Sequence, residues 1–352
     1  MRVKLEDVCK RIYAGGDVPK GRYSEKKTNE YNVPIFANAE KDEGLFGYTD
    51  EAREKELSIT VAARGTIGYT AIRREPFLPV VRLITVVPDL SKVSERYLFY
   101  ALKNCKPQSS GTSIPQLTVP DIKKNTLNLL DIAEQELIAD RLDKVNKIIN
   151  LIKEELTKFD ELIKARFVEL FGDPVLNEKG WETRPFLDMG SCKNGMNFRY
   201  EDSGVELNCL GVGDFKDNSV IMNTELLPTV SLNEIPSEEY LLRDDDIVFV
   251  RSNGNKALVG RSVAVYPGDT LTTFSGFCIR YRKHDDDITI PYLLRVLKTD
   301  SIRMKMAGRG ANIQNLNQQI LGTLIIPVPP LNLQNQFEDF VKQVDKSKFA
   351  YT

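Results

Sequence analysis

The chain has 352 residues, 41% of them hydrophobic, which is enough for two or three packed domains and excludes a disordered protein. Its net charge of −2 gives no support by itself to nucleic-acid binding, because nonspecific affinity for DNA comes from neutralised phosphates. The N-terminal residues MRVKLEDVCK contain no apolar run, so we expect a cytoplasmic protein with neither a signal peptide nor a membrane span.

Residues 1–130 form the first predicted domain and the only net basic block, with 21 Lys and Arg against 16 Asp and Glu. The runs SITVAA and PVVRLITVV predict strands, and YLFYALKN at Tyr97 predicts a helix. A glycine loop, AARGTIG, follows the first strand and carries Arg64 and Thr66. Later in the domain, SSGTS adds Ser110 and Thr112 to the polar loop residues.

Residues 131–172 carry the clearest pattern, a series of apolar residues spaced four and three apart, as in the core positions of a coiled coil. The series comprises Ile138, Leu142, Val145, Ile149, Ile152, Leu156, Phe159 and Ile163. Gly172 and Pro174 follow as helix stop signals. A helix of this length, on the order of 55 Å at 1.5 Å per residue, needs a partner along its apolar stripe.

Residues 173–330 form the second predicted domain, and residues 331–352 form a second, shorter helix. DIVFV and RSVAVY predict strands, and YLLRVLKT at Tyr292 matches the helix at Tyr97. The loop RSNGNK supplies Arg251, Asn253, Asn255 and Lys256. A cationic stretch then supplies Lys298, Arg303, Lys305 and Arg309. The shorter helix continues the apolar stripe with Phe337, Val341 and Val344.

An internal repeat relates the two halves. At a constant offset of 199, GTSIPQL at Gly111 matches GANIQNL at Gly310. The same offset gives the identities Gln135/Gln334, Asp140/Asp339, Val145/Val344 and Lys147/Lys346. We interpret this as a two-copy repeat with the order domain, long helix, domain, short helix.

Reactive groups are scarce. The single histidine, His284, lies beside three aspartates; a metal site and a solvated turn are both open, and the turn is favoured because no second His or Cys is near. The five cysteines form no CxxC pair, so we expect buried thiols rather than a zinc site or disulfides. No P-loop is present. A stand-alone enzyme is therefore the least favoured interpretation.

The polar glycine loops suit DNA recognition, since Arg and Lys pair with guanine edges and Asn with adenine edges. Ordinary polar loops are the alternative, and the duplicated arrangement favours a target in two parts. We assign Lys298, Arg303 and Lys305 to phosphates. The runner-up is a coiled-coil assembly scaffold whose globular domains bind protein, which the near-neutral charge favours; the salt dependence of DNA binding separates the two.

Several motifs carry a family resemblance: ARGTIGYT, GTSIPQL, LFGDPVLNEKGW and LIIPVPPLNLQNQ, in two domains each followed by a helix. They resemble the specificity subunit of type I restriction–modification enzymes. The resemblance implies an α+β fold with two mixed α/β target recognition domains in tandem. These are joined and followed by long helices that pair as an antiparallel coiled coil. Each domain is then expected to read one half of a split DNA sequence.

The same resemblance implies the partners. The helices act as a spacer and bind two methyltransferase subunits, and restriction subunits complete the complex. The chain itself is expected to be non-catalytic, with S-adenosylmethionine on the methyltransferase subunits and ATP and Mg on the restriction subunits. Because the second helix is shorter than the first, self-association through the unpaired part of the long helix is a further expectation.

Overall fold

The structure of the chain is a computed structural model that describes residues 1–105, 116–198, 203–215, 218–307 and 315–349. The chain divides into two compact units, Met1–Leu151 and Ile152–Thr352, and the boundary falls within one long helix. Among the described residues, no helix is both long enough and apolar enough to cross a membrane.

The first unit combines β-sheets with short helices. Its strands are β1 (Arg2–Lys4), β2 (Cys9–Ala14), β3 (Val33–Phe36), β4 (Leu45–Thr49), β5 (Ser58–Val61), β6 (Thr70–Arg73), β7 (Leu78–Pro79), β8 (Ile84–Pro88) and β9 (Thr126–Asn128). Its helices are α1 (Glu95–Lys103), α2 (Val119–Lys124) and the start of α3 (Ile132–Phe171). One sheet has the order β2-β8-β5-β6, the other has the order β4-β3-β7, and β1 pairs with β9.

The second unit repeats this plan. Its strands are β10 (Thr183–Pro185), β11 (Gly190–Asn194), β12 (Val205–Leu210), β13 (Val220–Ile221), β14 (Thr229–Leu232), β15 (Asp246–Val250), β16 (Ser262–Val265), β17 (Thr272–Phe274), β18 (Cys278–Lys283) and β19 (Ile325–Pro327). Its helices are α4 (Ile290–Leu297), α5 (Asp300–Ala307), α6 (Gln318–Gly322) and α7 (Leu331–Phe349). The sheets have the orders β11-β18-β15-β16-β13 and β14-β12-β17, and β10 pairs with β19.

The sheet orders confirm the internal repeat. The strands β2-β8-β5-β6 correspond to β11-β18-β15-β16, and the strands β4-β3-β7 correspond to β14-β12-β17. The two matching helices predicted at Tyr97 and Tyr292 are α1 and α4. The Tyr97 hydroxyl donates to the carbonyl of Asn128 in β9, and the Tyr292 hydroxyl donates to the carbonyl of Pro327 in β19, both at 2.8 Å. Equivalent side chains therefore make equivalent contacts in both units.

The central strands are buried because their residues suit a covered pleated sheet. Every residue of β5 (SITV) and of β15 (DIVFV) is buried. Such runs of β-branched and aromatic residues favour strands covered on both faces. Ile59 of β5 shares one core with Leu98 of α1, and Phe249 of β15 shares another with Leu293 of α4. Each strand thus forms a rigid base from which the next loop starts.

The run PVVRLITVV is not one strand, so that prediction was wrong. Strand β7 ends at Pro79, β8 begins at Ile84, and residues 80–83 form a turn between them. Val81 and Arg82 adopt φ angles of 52° and 62°. Their backbone therefore bends where the β-branched composition predicts extension, because hydrogen bonds from other loops hold this turn, as described below.

A buried glutamine joins α3 to the first unit. Gln135 is fully buried, and its side-chain oxygen accepts from the backbone N–H of Ser94 at 2.8 Å. Its side-chain nitrogen donates to the carbonyls of Lys92, at 3.0 Å, and Leu130, at 2.9 Å. Ser94 is the residue before α1. The one side chain therefore ties the first turn of α3 to the start of α1.

The repeated glutamine makes the same three bonds in the second unit. Gln334 is fully buried, accepts from the N–H of Thr289 at 2.8 Å, and donates to the carbonyls of Asp287 and Pro329 at 2.8 and 2.7 Å. Thr289 precedes α4 as Ser94 precedes α1. The sequence identity Gln135/Gln334 thus marks a duplicated junction between the sheets of a unit and its helix.

Helices α3 and α7 pack antiparallel within the second unit. The rings of Phe167 and Phe171 lie 5.6 and 5.7 Å from the ring of Phe337, near the start of α7. Near the end of α7, Lys348 donates to Asp160 at 2.6 Å. Residue numbers rise along one helix as they fall along the other, so the antiparallel pairing expected from the resemblance is confirmed.

Burial along the predicted apolar stripe follows this pairing. Ile163, Phe337 and Val344 are buried, and the half-buried positions are Ile138, Leu142, Ile152, Leu156, Phe159 and Val341. Val145 is 50% exposed and Ile149 is 43% exposed. Within the described part of the first unit, α3 thus leaves these two positions of the stripe open to solvent.

Candidate nucleic-acid interface

The glycine loop of the first unit follows β5 and presents two of the predicted contacts. Arg64 and Thr66 are both exposed. Gly65 and Gly68 have φ angles of 69° and 86°, a region that glycine enters without steric cost. The Arg64 guanidinium donates to the side-chain oxygen of Gln116 at 2.9 Å. One nitrogen of the guanidinium is thereby held in place, and the group has further N–H donors for another acceptor.

Asn38 fixes this loop to its neighbour, and sequence reasoning missed it. Its side-chain oxygen accepts from the backbone N–H of Ala63 at 2.7 Å, and its side-chain nitrogen donates to the carbonyl of Val81 at 2.5 Å. One amide therefore joins the glycine loop to the turn between β7 and β8. No sequence pattern marks Asn38, because its two partners are distant in the chain.

The glycine loop of the second unit follows β15, at the equivalent strand end. The side-chain oxygen of Asn253 accepts from the N–H of Asn255 at 2.8 Å, and that of Asn255 accepts from the N–H of Ala257 at 3.1 Å. These bonds shape the loop. They use only the oxygen of each side-chain amide, and the amide nitrogen is a donor that takes no part in them. Arg251 is half-buried beside the carbonyl of Gly276, at 3.5 Å, and Lys256 is exposed.

The two loops are closed by the repeated segment. The backbone N–H of Leu117 donates to the carbonyl of Ala63 at 3.0 Å, and that of Leu316 donates to the carbonyl of Arg251 at 2.8 Å. Both leucines are fully buried, and they are the last residues of GTSIPQL and GANIQNL. The repeat therefore places the same junction beside both loops. The predicted contacts Ser110, Thr112 and Arg309 lie outside the described residues.

Two of the three cations assigned to phosphates make contacts inside the second unit. Arg303 donates to the carbonyls of Gly260, at 3.1 Å, and Val259, at 3.3 Å, so it supports the end of the Arg251 loop. Lys298 donates to the hydroxyl of Ser219 at 2.7 Å. Burial, with Arg295 nearby, lowers the pKa of Lys298 to about 8. Lys305 is exposed, and its assignment to phosphate stays a prediction.

The cysteines are free and poorly suited to nucleophilic chemistry. Burial raises the pKa of Cys105 to about 11, and burial raises the pKa of Cys9, Cys192 and Cys209 to about 12. A thiol with such a pKa stays protonated at neutral pH. Among the described residues, no three His, Cys, Asp or Glu side chains are grouped as a metal site, and the His284 ring contacts the Asp188 carbonyl at 2.9 Å.

Comparison with protein families gives a match over nearly the whole chain. The model of the type I restriction modification DNA specificity domain matches residues 1–159 and 178–352. A type I specificity subunit of Mycoplasma pneumoniae is 36% identical over 140 residues, which are 40% of this chain and 38% of that protein. A second one from the same organism is 34% identical over 163 residues, 46% of this chain and 48% of that protein. The chain thus spans less than half the length of these two relatives.

More distant relatives extend the likeness along the chain. The type I restriction enzyme StySPI specificity subunit of Salmonella potsdam is 23% identical over 318 residues, 84% of this chain and 67% of that protein. The crystal structure of a type I restriction–modification S subunit from M. genitalium matches with a TM-score of 0.52 at 16% identity, over 100% of this chain and 90% of that one. At this identity the structural likeness shows the fold alone.

Proposed function

Because the chain belongs to the family of type I restriction–modification DNA specificity domains, we propose that its two units together bind a double-stranded DNA target in two parts. Each unit holds one half-site against the glycine loop that follows its buried central strand. The chain recognises DNA and performs no chemistry itself. Its relatives are named specificity subunits, which supports this division of labour.

The observation that carries the proposal is the duplicated loop. Both loops start at the end of a fully buried strand, β5 or β15, and both are closed by the amide of a repeated leucine. Arg64 and Arg251 carry guanidinium groups that suit guanine, and Asn253 and Asn255 carry amides that suit adenine. Glycines in the same loops let backbone N–H groups approach phosphates. Two equivalent polar sites suit a target in two parts.

We propose further that α3 and α7 dock two methyltransferase subunits and, through them, restriction subunits. S-adenosylmethionine then belongs to the methyltransferase subunits, and ATP and Mg²⁺ belong to the restriction subunits. The support is the apolar surface of α3 in the first unit, where Val145, Ile148, Ile149 and Leu151 are 43–56% exposed. Exposed apolar patches mark interaction sites. Self-association of two chains is a second use of the same surface.

The test replaces one loop arginine at a time. Arg251→Ala is expected to relax the sequence preference of one half-site only, at a cost of about 1–3 kcal/mol for a lost base contact. Arg64→Ala is expected to act on the other half-site. Arg74→Ala is the control, because Arg74 is exposed at the far end of β6 and pairs with Glu95. The readout is selection from randomised duplex DNA by the chain with its methyltransferase subunits.

Equal loss of both half-sites with Arg251→Ala would contradict the assignment of one half-site to each unit. A scaffold that binds only protein is the alternative, and the near-neutral net charge of −2 favours it. Such a scaffold enriches no DNA motif in this experiment.

A further inference from the structure

The turn between β7 and β8 holds two residues in an unfavourable backbone conformation. Residues 80–83 close through a hydrogen bond from the N–H of Leu83 to the carbonyl of Val80 at 3.0 Å. Val81 and Arg82, the two central residues, have φ angles of 52° and 62°, which such turns normally assign to Asn and Gly. A branched residue there is an outlier, and such outliers are concentrated at functional sites.

Two contacts from other loops hold this turn in place. The N–H of Val81 donates to the carbonyl of Gly16 at 2.7 Å, and the carbonyl of Val81 accepts from Asn38 at 2.5 Å. A Cβ atom on Gly15 would lie 2.6 Å from the backbone of Pro79, so this glycine lets the two segments approach. The surrounding loops therefore impose the strained conformation and fix the position of Arg82.

The second unit has a turn at the equivalent place, between β17 and β18, although its central residues, Gly276 and Phe277, do not have positive φ angles. The N–H of Cys278 donates to the carbonyl of Ser275 at 2.8 Å, and the N–H of Gly276 donates to the carbonyl of Met196 at 2.6 Å. Gly195 has the role of Gly15, because a Cβ atom on it would lie 2.1 Å from the carbonyl oxygen of Ser275. Phe277 therefore stands where the first unit has Arg82.

Both side chains point away from the protein core. Arg82 is exposed, and its side chain makes no hydrogen bond or ion pair with any described residue. Phe277 is 60% exposed, although burying a phenyl group would be favourable by roughly 1.5–3 kcal/mol. Both side chains are exposed at the tips of anchored turns, and this placement suits a binding role.

The turns lie beside the two glycine loops. Ile84, just after the first turn, pairs with Val61, the last residue of β5. Asn38 joins the turn directly to the loop, as described above. In the second unit, the carbonyl of Phe277 accepts from the N–H of Arg251 at 2.7 Å and from that of Ser252 at 3.4 Å. Each turn and its glycine loop thus form one surface.

We propose that the two turns are specificity determinants, each reading one base of its half-site. Arg82 donates to O6 and N7 of a guanine, and Phe277 packs against the C5 methyl group of a thymine. A free guanidinium and an exposed apolar ring are the side chains that suit these two base edges in the major groove. The inference rests on the proposed function, since it requires that each unit bind DNA.

The experiment selects bipartite sites from randomised duplex DNA with the chain and its methyltransferase subunits. Arg82→Ala is expected to remove the preference for guanine at one position of one half-site, and Phe277→Ala the preference for thymine at one position of the other. Each loss of discrimination is expected to be on the order of tenfold. Arg74→Ala and Leu271→Ala are matched controls and leave the motif unchanged, because both residues are exposed and lie outside the turns, Arg74 just after β6 and Leu271 before the start of β17.

Base analogues then test the chain without any substitution. The wild-type chain is expected to lose about tenfold affinity when 7-deazaguanine, which lacks N7, replaces that guanine, and when uracil, which lacks the methyl group, replaces that thymine. The Arg82→Ala and Phe277→Ala variants are expected to lose no further affinity with the matching analogue, because the contact is already absent. This pattern cannot arise from misfolding.

Three results overturn the inference. If both variants select the wild-type motif, the turns read no base, while the proposed function stands. If the analogues weaken the variants as much as they weaken the wild-type chain, Arg82 and Phe277 do not contact those atoms. If the wild-type chain enriches no bipartite motif, the inference fails together with the proposed function.

Discussion

At the scale of residues, tertiary contacts decide which polar side chains are available to DNA. The sequence predicted the loop residues Arg64 and Thr66 by type and place, and the structure finds both exposed. It also assigned Arg303 to a phosphate; in the structure that guanidinium donates to two carbonyls of its own domain, and the assignment stays a prediction. The sequence alone does not show whether a charged side chain is exposed or bonded to its own domain. The two partners of Arg303 lie 43 and 44 residues away in the chain.

The buried glutamines show the opposite case, in which an identity in the repeat had a structural meaning. Gln135 and Gln334 matched at the offset of 199 without any indication of their role. Each makes three hydrogen bonds to backbone groups at the start of a helix. A side chain that satisfies three buried backbone groups is costly to remove.

We therefore predict that Gln334→Ala lowers the free energy of unfolding by at least about 2 kcal/mol, because an unsatisfied buried polar group costs about 1–3 kcal/mol. Urea denaturation of the full chain measures this as a lower midpoint for the second unit. Gln343→Ala, an exposed change on the same helix, is the control and is expected to stay within about 0.5 kcal/mol. Equal effects of the two substitutions would contradict the role assigned to Gln334.

At the scale of elements, local patterns predicted the long helix and the central strands. The four-three spacing predicted α3, and the runs SITVAA, DIVFV and RSVAVY contain β5, β15 and β16. The failure was the turn at Val81 and Arg82, because two β-branched valines and flanking apolar residues read as one strand. The sign of φ at that turn is imposed by Asn38 and Gly16, which no local pattern can reveal.

The heptad pattern also supports a prediction about the spacer. Inserting one heptad into α3 between residues 144 and 151, where the apolar stripe is exposed, adds about 10 Å at 1.5 Å per residue. The gap between half-sites is expected to lengthen by about three base pairs at 3.4 Å each, with both half-sites unchanged. Selection from randomised duplex DNA measures the gap. An unaltered gap would mean that the helix does not set the spacing.

At the scale of the whole molecule, the repeat is what links sequence to function. The two units have corresponding sheet orders, the same glutamine junction and a glycine loop beside a turn, and this duplication is what supports the proposed two-part target. Composition alone did not indicate DNA binding, because a net charge of −2 is not that of a typical DNA-binding protein. The bases recognised depend on loop geometry at atomic scale, which neither composition nor periodicity specifies.

The most direct measurement of the central claim is a genome-wide map of methylated bases in the source cell, with and without this gene. We predict that deleting the gene removes methylation from one bipartite motif and leaves other motifs intact. That result would reveal both half-sites and the gap between them. An unchanged map would contradict the claim that the chain directs a methyltransferase to a two-part DNA target.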